Sequence, residues 1–133
     1  MPKEHLNPES LFPSLKYGFS QIVCSQGGRT VYISGQTPWN AQEKIVGMNR
    51  REQMRQSLRN IQAAIEAVGG VLKDIVSLRI YMVDYKPDQE IDVIVDGLKE
   101  FFPNEPPATT WIGISSLAVK DYLIEIEATA VLE

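Results

Sequence analysis

Apolar side chains recur along the chain in two rhythms, and each change of rhythm marks an element. Met54, Leu58, Ile61, Ile65 and Val68 are spaced four, three, four and three apart, the interval that stacks side chains on one face of an α-helix. Asn49, with Glu52 three residues on, supplies an N-cap and its capping-box partner ahead of that helix. Gly69 and Gly70 tolerate the left-handed backbone that ends it. A second helix is predicted by Ile91, Val95, Leu98 and Phe102, opened by Pro87 and Asp88 and stopped by Pro103. The rhythm of two appears in "DIVSLRIYMV": Val76, Leu78, Ile80 and Met82 share one face of a strand, Ser77, Arg79, Tyr81 and Val83 the other. It returns from Leu123 to Leu132, where Ile124, Ile126, Ala128 and Ala130 alternate with Glu125 and Glu127. Ala108 to Ile114 completes the strands of the C-terminal half.

Near the N-terminus, "SQIVCS" and "TVYISG" flank Gln26, Gly27, Gly28 and Arg29, which reads as a tight strand-turn-strand hairpin. "QTPWNAQEKIVG" reads as a loop with only a brief apolar pair at Ile45 and Val46. Residues 1–18 hold three of the eight prolines and no period, so they are expected to lie over the domain as an irregular arm. Two strands, helix, strand, helix, two strands specify an α+β fold, a mixed sheet with two helices on one face, in a single domain spanning residues 1–133.

Composition narrows the partners. Thirteen Lys plus Arg against seventeen Asp plus Glu leave a formal charge of -4, which gives no electrostatic reason to expect nucleic acid or an anionic membrane. No apolar run approaches the ~20 residues that span a bilayer, and "MPKEHLNPES" lacks the apolar middle of a signal peptide, so a cytoplasmic location is expected. Cys24 is the single cysteine; it excludes an intramolecular disulfide and is expected to serve as a small core residue. One histidine, His5 in the arm, builds neither a metal site nor a Ser-His-Asp relay. Arg51, Arg55 and Arg59 form a row on the first helix that reads as a solvated face.

What remains for chemistry lies on the sheet. Glu125 and Glu127 project from one face of the last strand, roughly 7 Å apart. That face is either simply solvated or, with Ser77, Arg79, Tyr81 and Tyr32 beside it, too apolar for bare solvent and too polar for a core. A second chain resolves the conflict, and sites at such seams borrow residues from two subunits.

"YISGQTP", "QSLRNIQAAIEAVG", "DIVSLRIYMVD" and "YLIEIEATAV", in that order and spacing, resemble the Rid family, the reactive intermediate deaminases also called YjgF-like or L-PSP endoribonuclease-like proteins. The resemblance runs from about Phe19 to Leu132. It implies a chorismate-mutase-like fold, a homotrimer with three clefts between subunits, and cofactor-free hydrolysis of enamines and imines to a keto compound and ammonia.

Carried over residue by residue, the family's "SGQ" serine is Ser34, with Gly35 beside it among the ligand contacts, and the first glutamate of "EIEA" is Glu125, positioning or activating the attacking water. The family's frequent aromatic of "PYSQ" is Phe19, without the hydroxyl, and a helix asparagine of some members falls near Val95. Deaminase members read Pro-Ala-Arg, the arginine gripping a substrate carboxylate through its planar fork; this chain has Thr109 there. Trp111 points to the same side as Thr109, since strand side chains alternate, and either floors the cleft or packs the subunit contact. The expectation is a hydrolytic deaminase of altered substrate range, with Glu125 and Ser34 catalytic and Thr109, Trp111, Phe19 and Gly35 on the ligand. The alternative is a non-catalytic trimer binding a small metabolite in the same clefts.

Overall fold

Residues 3–133 are described by a computed structural model of the chain, so the first two residues of the arm lie outside the described residues. The elements are β1 (Glu4–Leu6), β2 (Ile22–Cys24), β3 (Arg29–Gln36), α1 (Arg50–Ala67), β4 (Ile75–Val83), α2 (Pro87–Phe101), β5 (Ala108–Ile114) and β6 (Ile124–Leu132), with single 3₁₀ turns at Ser14–Tyr17 and Leu72–Asp74. The main sheet has the order β3-β6-β4-β5. β6 runs antiparallel to both neighbours and β5 parallel to β4, so the sheet is mixed, and the fold is α+β.

One face of this sheet meets the helices. Leu78, Ile80, Met82, Ile124, Ile126, Ala128 and Ala130 are buried there against Met54, Leu58, Ile61 and Ile65 of α1 and Ile94 and Leu98 of α2. Each large side chain so buried contributes about 1.5–3 kcal/mol of transfer free energy. The α1 periodicity thus describes its buried face, except that Val68 falls at the C-cap and stays part exposed. On α2 the buried residues are Ile94 and Leu98, with Phe102 buried at its C-cap, while Ile91 is exposed. A register shift between Ile75 and Ser77 turns Ile75, not Val76, into the core.

The cap of α1 is built from the expected residues. Asn49 Oδ1 accepts from the Glu52 amide at 2.9 Å, and Glu52 accepts from the amide of Met48, one residue before the position a capping box uses. Arg51 and Arg55 reach across to Asp96 and Glu100 of α2 at 3.0 and 3.1 Å. All four side chains are about half exposed, so these pairs add little stability.

The N-terminal hairpin does not form. β2 pairs with β1, and β3 with β6, from Arg29 opposite Leu132 to Gln36 opposite Ile126. Gly27 and Gly28 still turn the chain, both at positive φ, but a Cβ at Gly28 would overlap the Leu132 carbonyl. That turn delivers β3 to the last strand instead of folding it back on β2. Because β2 belongs to a two-stranded ribbon outside the core, Cys24 is exposed, which corrects its expected place in the core.

The arm also has more structure than an aperiodic sequence implies. Besides β1 and its 3₁₀ turn, it is fastened to the entrance of β5: the Ser20 hydroxyl donates to the Pro106 carbonyl and the Ser20 amide to Pro107 at 3.0 Å. The buried Ser14 hydroxyl donates to the Phe19 carbonyl at 2.8 Å. These bonds hold three aromatic residues, Phe12, Tyr17 and Phe19, against the edge strand.

Arg50, the first residue of α1 and 4% exposed, ties the opposite end of the sheet together. Its guanidinium donates to the carbonyls of Val83, at 2.8 Å, and Leu123, and to the Glu90 carboxylate at 3.1 and 3.3 Å, beside the Tyr85 ring. One side chain thereby fixes the end of β4, the approach to β6 and the first turn of α2.

Candidate active site

The outward face of the sheet carries the carboxylates. Glu125 lies opposite Tyr81 and Glu127 opposite Arg79 in the β4–β6 register. They line, with Gly35, Tyr81, Ile114 and Leu117, a cavity of about 300 Å³. Between the pairs Ile33–Ala128 and Gln36–Ile126, Ser34 and Gly35 together face the single residue Glu127. That is a β-bulge, a device that re-aims side chains at a strand end. Its effect is visible at Gly35, where a Cβ would overlap the Glu125 carboxylate. Glycine there lets the carboxylate lie directly over backbone.

The two glutamates differ in what they are free to do. Glu127 accepts a hydrogen bond from the Tyr81 hydroxyl and has Arg79 Nη1 at 4.0 Å. The bond to Glu127, reinforced by burial, raises the Tyr81 pKa above its ordinary 10.0. Glu125 lies beside this pair and lines the same cavity, where a ligand or water can reach it.

Thr109 and Trp111 lie elsewhere. They pair with Leu78 and Ile80 of β4, whose side chains face the helices, so both belong to the helix side of the sheet. With Phe12, Tyr17, Phe19 and Ile91 they line a second cavity of about 270 Å³. Phe19 packs edge-on to Trp111 at 5.8 Å and to Phe12 at 6.0 Å. Trp111 Nε1 donates to Thr109 Oγ1 at 3.0 Å. Thr109 thus carries a hydroxyl already engaged by an indole.

Within one chain the expected site residues therefore form two groups. Glu125, Gly35 and, exposed at the bulge, Ser34 belong to the outward face; Thr109, Trp111 and Phe19 belong to the helix side, with β4 standing between β6 and β5. Arg79 is on the outward face beside Glu127, and Lys120 is exposed in the connection before β6; neither lines the cavity over β5. Among the described residues no group of three or more His, Cys, Asp or Glu could hold a metal ion, and no helix is long and apolar enough to cross a membrane.

Phe12, Tyr17 and Ile91 were not legible as site residues in the sequence. For Phe12 and Tyr17 the only signal is the density of aromatic side chains between 12 and 19, because an arm without a period gives no facing direction.

The chain is a helix-backed mixed sheet with an acidic pocket on its free face and an aromatic one on its edge strand. The chain belongs to the Rid family: the family model described as Endoribonuclease L-PSP matches residues 12–132. It is 34% identical over 116 residues to the 2-iminobutanoate/2-iminopropanoate deaminase of Dermatophagoides farinae, covering 86% of each chain. It is 30% identical over 131 residues to the 3-aminoacrylate deaminase RutC of Acinetobacter baylyi, covering 98% of each. Among solved structures, a conserved Rid-family protein of unknown function from Yersinia pestis superposes with a TM-score of 0.95 at 37% identity, covering 99% of this chain and 100% of that one.

Proposed function

We propose that the protein is a hydrolytic deaminase of reactive enamines or imines, working without a cofactor, with a substrate range moved away from small carboxylates. The observation that carries this reading is the placement of Glu125 over Gly35 in a cavity open to solvent. Support comes also from relatives named as imine and enamine deaminases. In this reading Glu125 accepts a proton from water as its oxygen bonds to the imine carbon. Glu125 passes that proton to the nitrogen, and the new hydroxyl gives up its own proton to the nitrogen as the carbon–nitrogen bond breaks. The carbon keeps oxygen as a carbonyl, and nitrogen leaves as ammonia, so that imine and water are consumed in equal number.

Two copies complete the site. Glu125, Gly35 and Ser34 of one copy meet Thr109, Trp111 and Phe19 of another, in the homotrimer that the family resemblance implies. The outward face suits such burial, since Tyr32 is 82% exposed on it, beside strands that carry ionic and apolar groups together.

Ammonia release from imines generated in place tests the reading. The expected result is a rate above buffer for at least one imine. No such rate across polar and apolar imines, together with a ligand that raises the melting temperature without being consumed, would establish a binding protein instead. Thr109→Arg should raise the rate on 2-aminoacrylate about 10- to 100-fold, the worth of a charge-assisted hydrogen bond. Gly35→Ala should lower the rate about tenfold or more by pushing the Glu125 carboxylate aside, while the melting temperature moves little because that side chain can swing into solvent.

A further inference from the structure

The two cavities share a property that bears on the ligand: neither offers a cation to a carboxylate. Around the cavity over β5, Phe12, Tyr17, Phe19 and Trp111 form a chain of edge-on contacts with centroids 5.8 to 6.4 Å apart. Ile91 closes the wall and Thr109 adds one hydroxyl, which already accepts the indole N–H. Lys16 stands 5.1 Å over the Tyr17 ring but does not line the cavity. The outward cavity presents Glu125 and Glu127, and the nearby Arg79 is drawn to Glu127. A carboxylate thus finds no partner in the first and repulsion in the second.

The opposite ligand fits both. A ring of six carbons is the right scale for a cavity of about 270 Å³ and gains edge-on aromatic contacts there. A protonated nitrogen is favoured by ring faces and by carboxylates alike. We propose that the cavity over β5 binds the aromatic group of a carboxylate-free arylalkyl amine or of the imine formed from it, with Phe12, Tyr17, Phe19 and Trp111 setting that preference. As a substrate assignment this rests on the deaminase reading; as a binding site it does not. The reaction that supplies the imine is then two-electron oxidation of a primary arylalkyl amine, and hydrolysis with one water gives the arylalkyl aldehyde and ammonia.

Calorimetric titration of the intact protein with 2-phenylethylamine, phenylacetate and pyruvate tests the assignment. The amine is expected to bind about tenfold or more tightly than either carboxylate, and Phe12→Ala and Trp111→Leu each to weaken it several-fold. Phe12 is 56% exposed, so its truncation does not endanger the fold. Thr109→Arg should reverse the order, favouring phenylacetate. Equal or tighter binding of the carboxylates to the unaltered protein, no binding of the amine, or amine affinity unchanged in both aromatic variants would overturn the proposal. Amine binding without ammonia release from any imine, polar or apolar, supports the cavity assignment and overturns the deaminase reading. Ammonia release confined to carboxylate-bearing imines does the reverse.

Discussion

Glu125→Gln lowers ammonia release about 100-fold or more, the span expected when a general base is removed, and leaves the melting temperature nearly unchanged. Glutamine keeps the length and shape of glutamate over Gly35, so the pocket is preserved while the capacity to take a proton from water is lost. Glu127→Gln serves as the comparison. That carboxylate is held by the Tyr81 hydroxyl with Arg79 close by, and its loss should reduce the rate far less. Equal effects at both positions would mean that the pocket acts through its net charge and not through a base at Glu125. Steady-state rates of ammonia formation, with circular dichroism melts as the control for folding, decide between them.

Arg50→Met is the change expected to weaken the fold most, by about 3 kcal/mol or more, because removing one partner of a buried ion pair strands the groups it served. Here those groups are the carbonyls of Val83 and Leu123 and the Glu90 carboxylate. Urea denaturation of the two proteins measures the difference. The pair also carries a pH signature. Glu90 is held below its ordinary 4.5 chiefly by the hydrogen bond from Arg50, against an opposing push from burial. A lowered folded value means stability that is full above the unfolded value and lost as the pH falls through the folded one. The unaltered protein should therefore weaken below pH 4.5, and that dependence should flatten in Arg50→Met.

The helices were legible because their apolar spacing runs over several turns, and β4 and β6 because two-residue alternation leaves little choice of face. Where the sequence misleads, a long-range partner decides. Two apolar strands flanking Gly27 and Gly28 look the same whether they pair with each other or with distant strands, and β3 found β6. Cys24 follows from the same choice, since a strand in an outlying ribbon has no core to face.

At the site, alternation sufficed to set Glu125 on the free face and to put Thr109 and Trp111 on one side. It could not say which side, because β5 is an edge strand of mixed composition whose orientation comes from its register with Leu78 and Ile80. The bulge that lays Glu125 over Gly35 is equally a matter of register. The aromatic cavity depends on a bond from Ser20 to the distant Pro106 carbonyl, and no local pattern encodes that.

If the carboxylate of one copy serves the aromatic cavity of another, two variants impaired in different halves of the site must repair each other. Glu125→Gln and Trp111→Leu copies, dissociated and reassembled together in equal amounts, should recover roughly a quarter of the unaltered rate, since about one seam in four of a cyclic oligomer then joins an intact carboxylate to an intact cavity. Each variant alone should stay near its own residual rate. Recovery at that level places the site between copies, whereas a mixture no more active than the average of its two components would contradict a shared site.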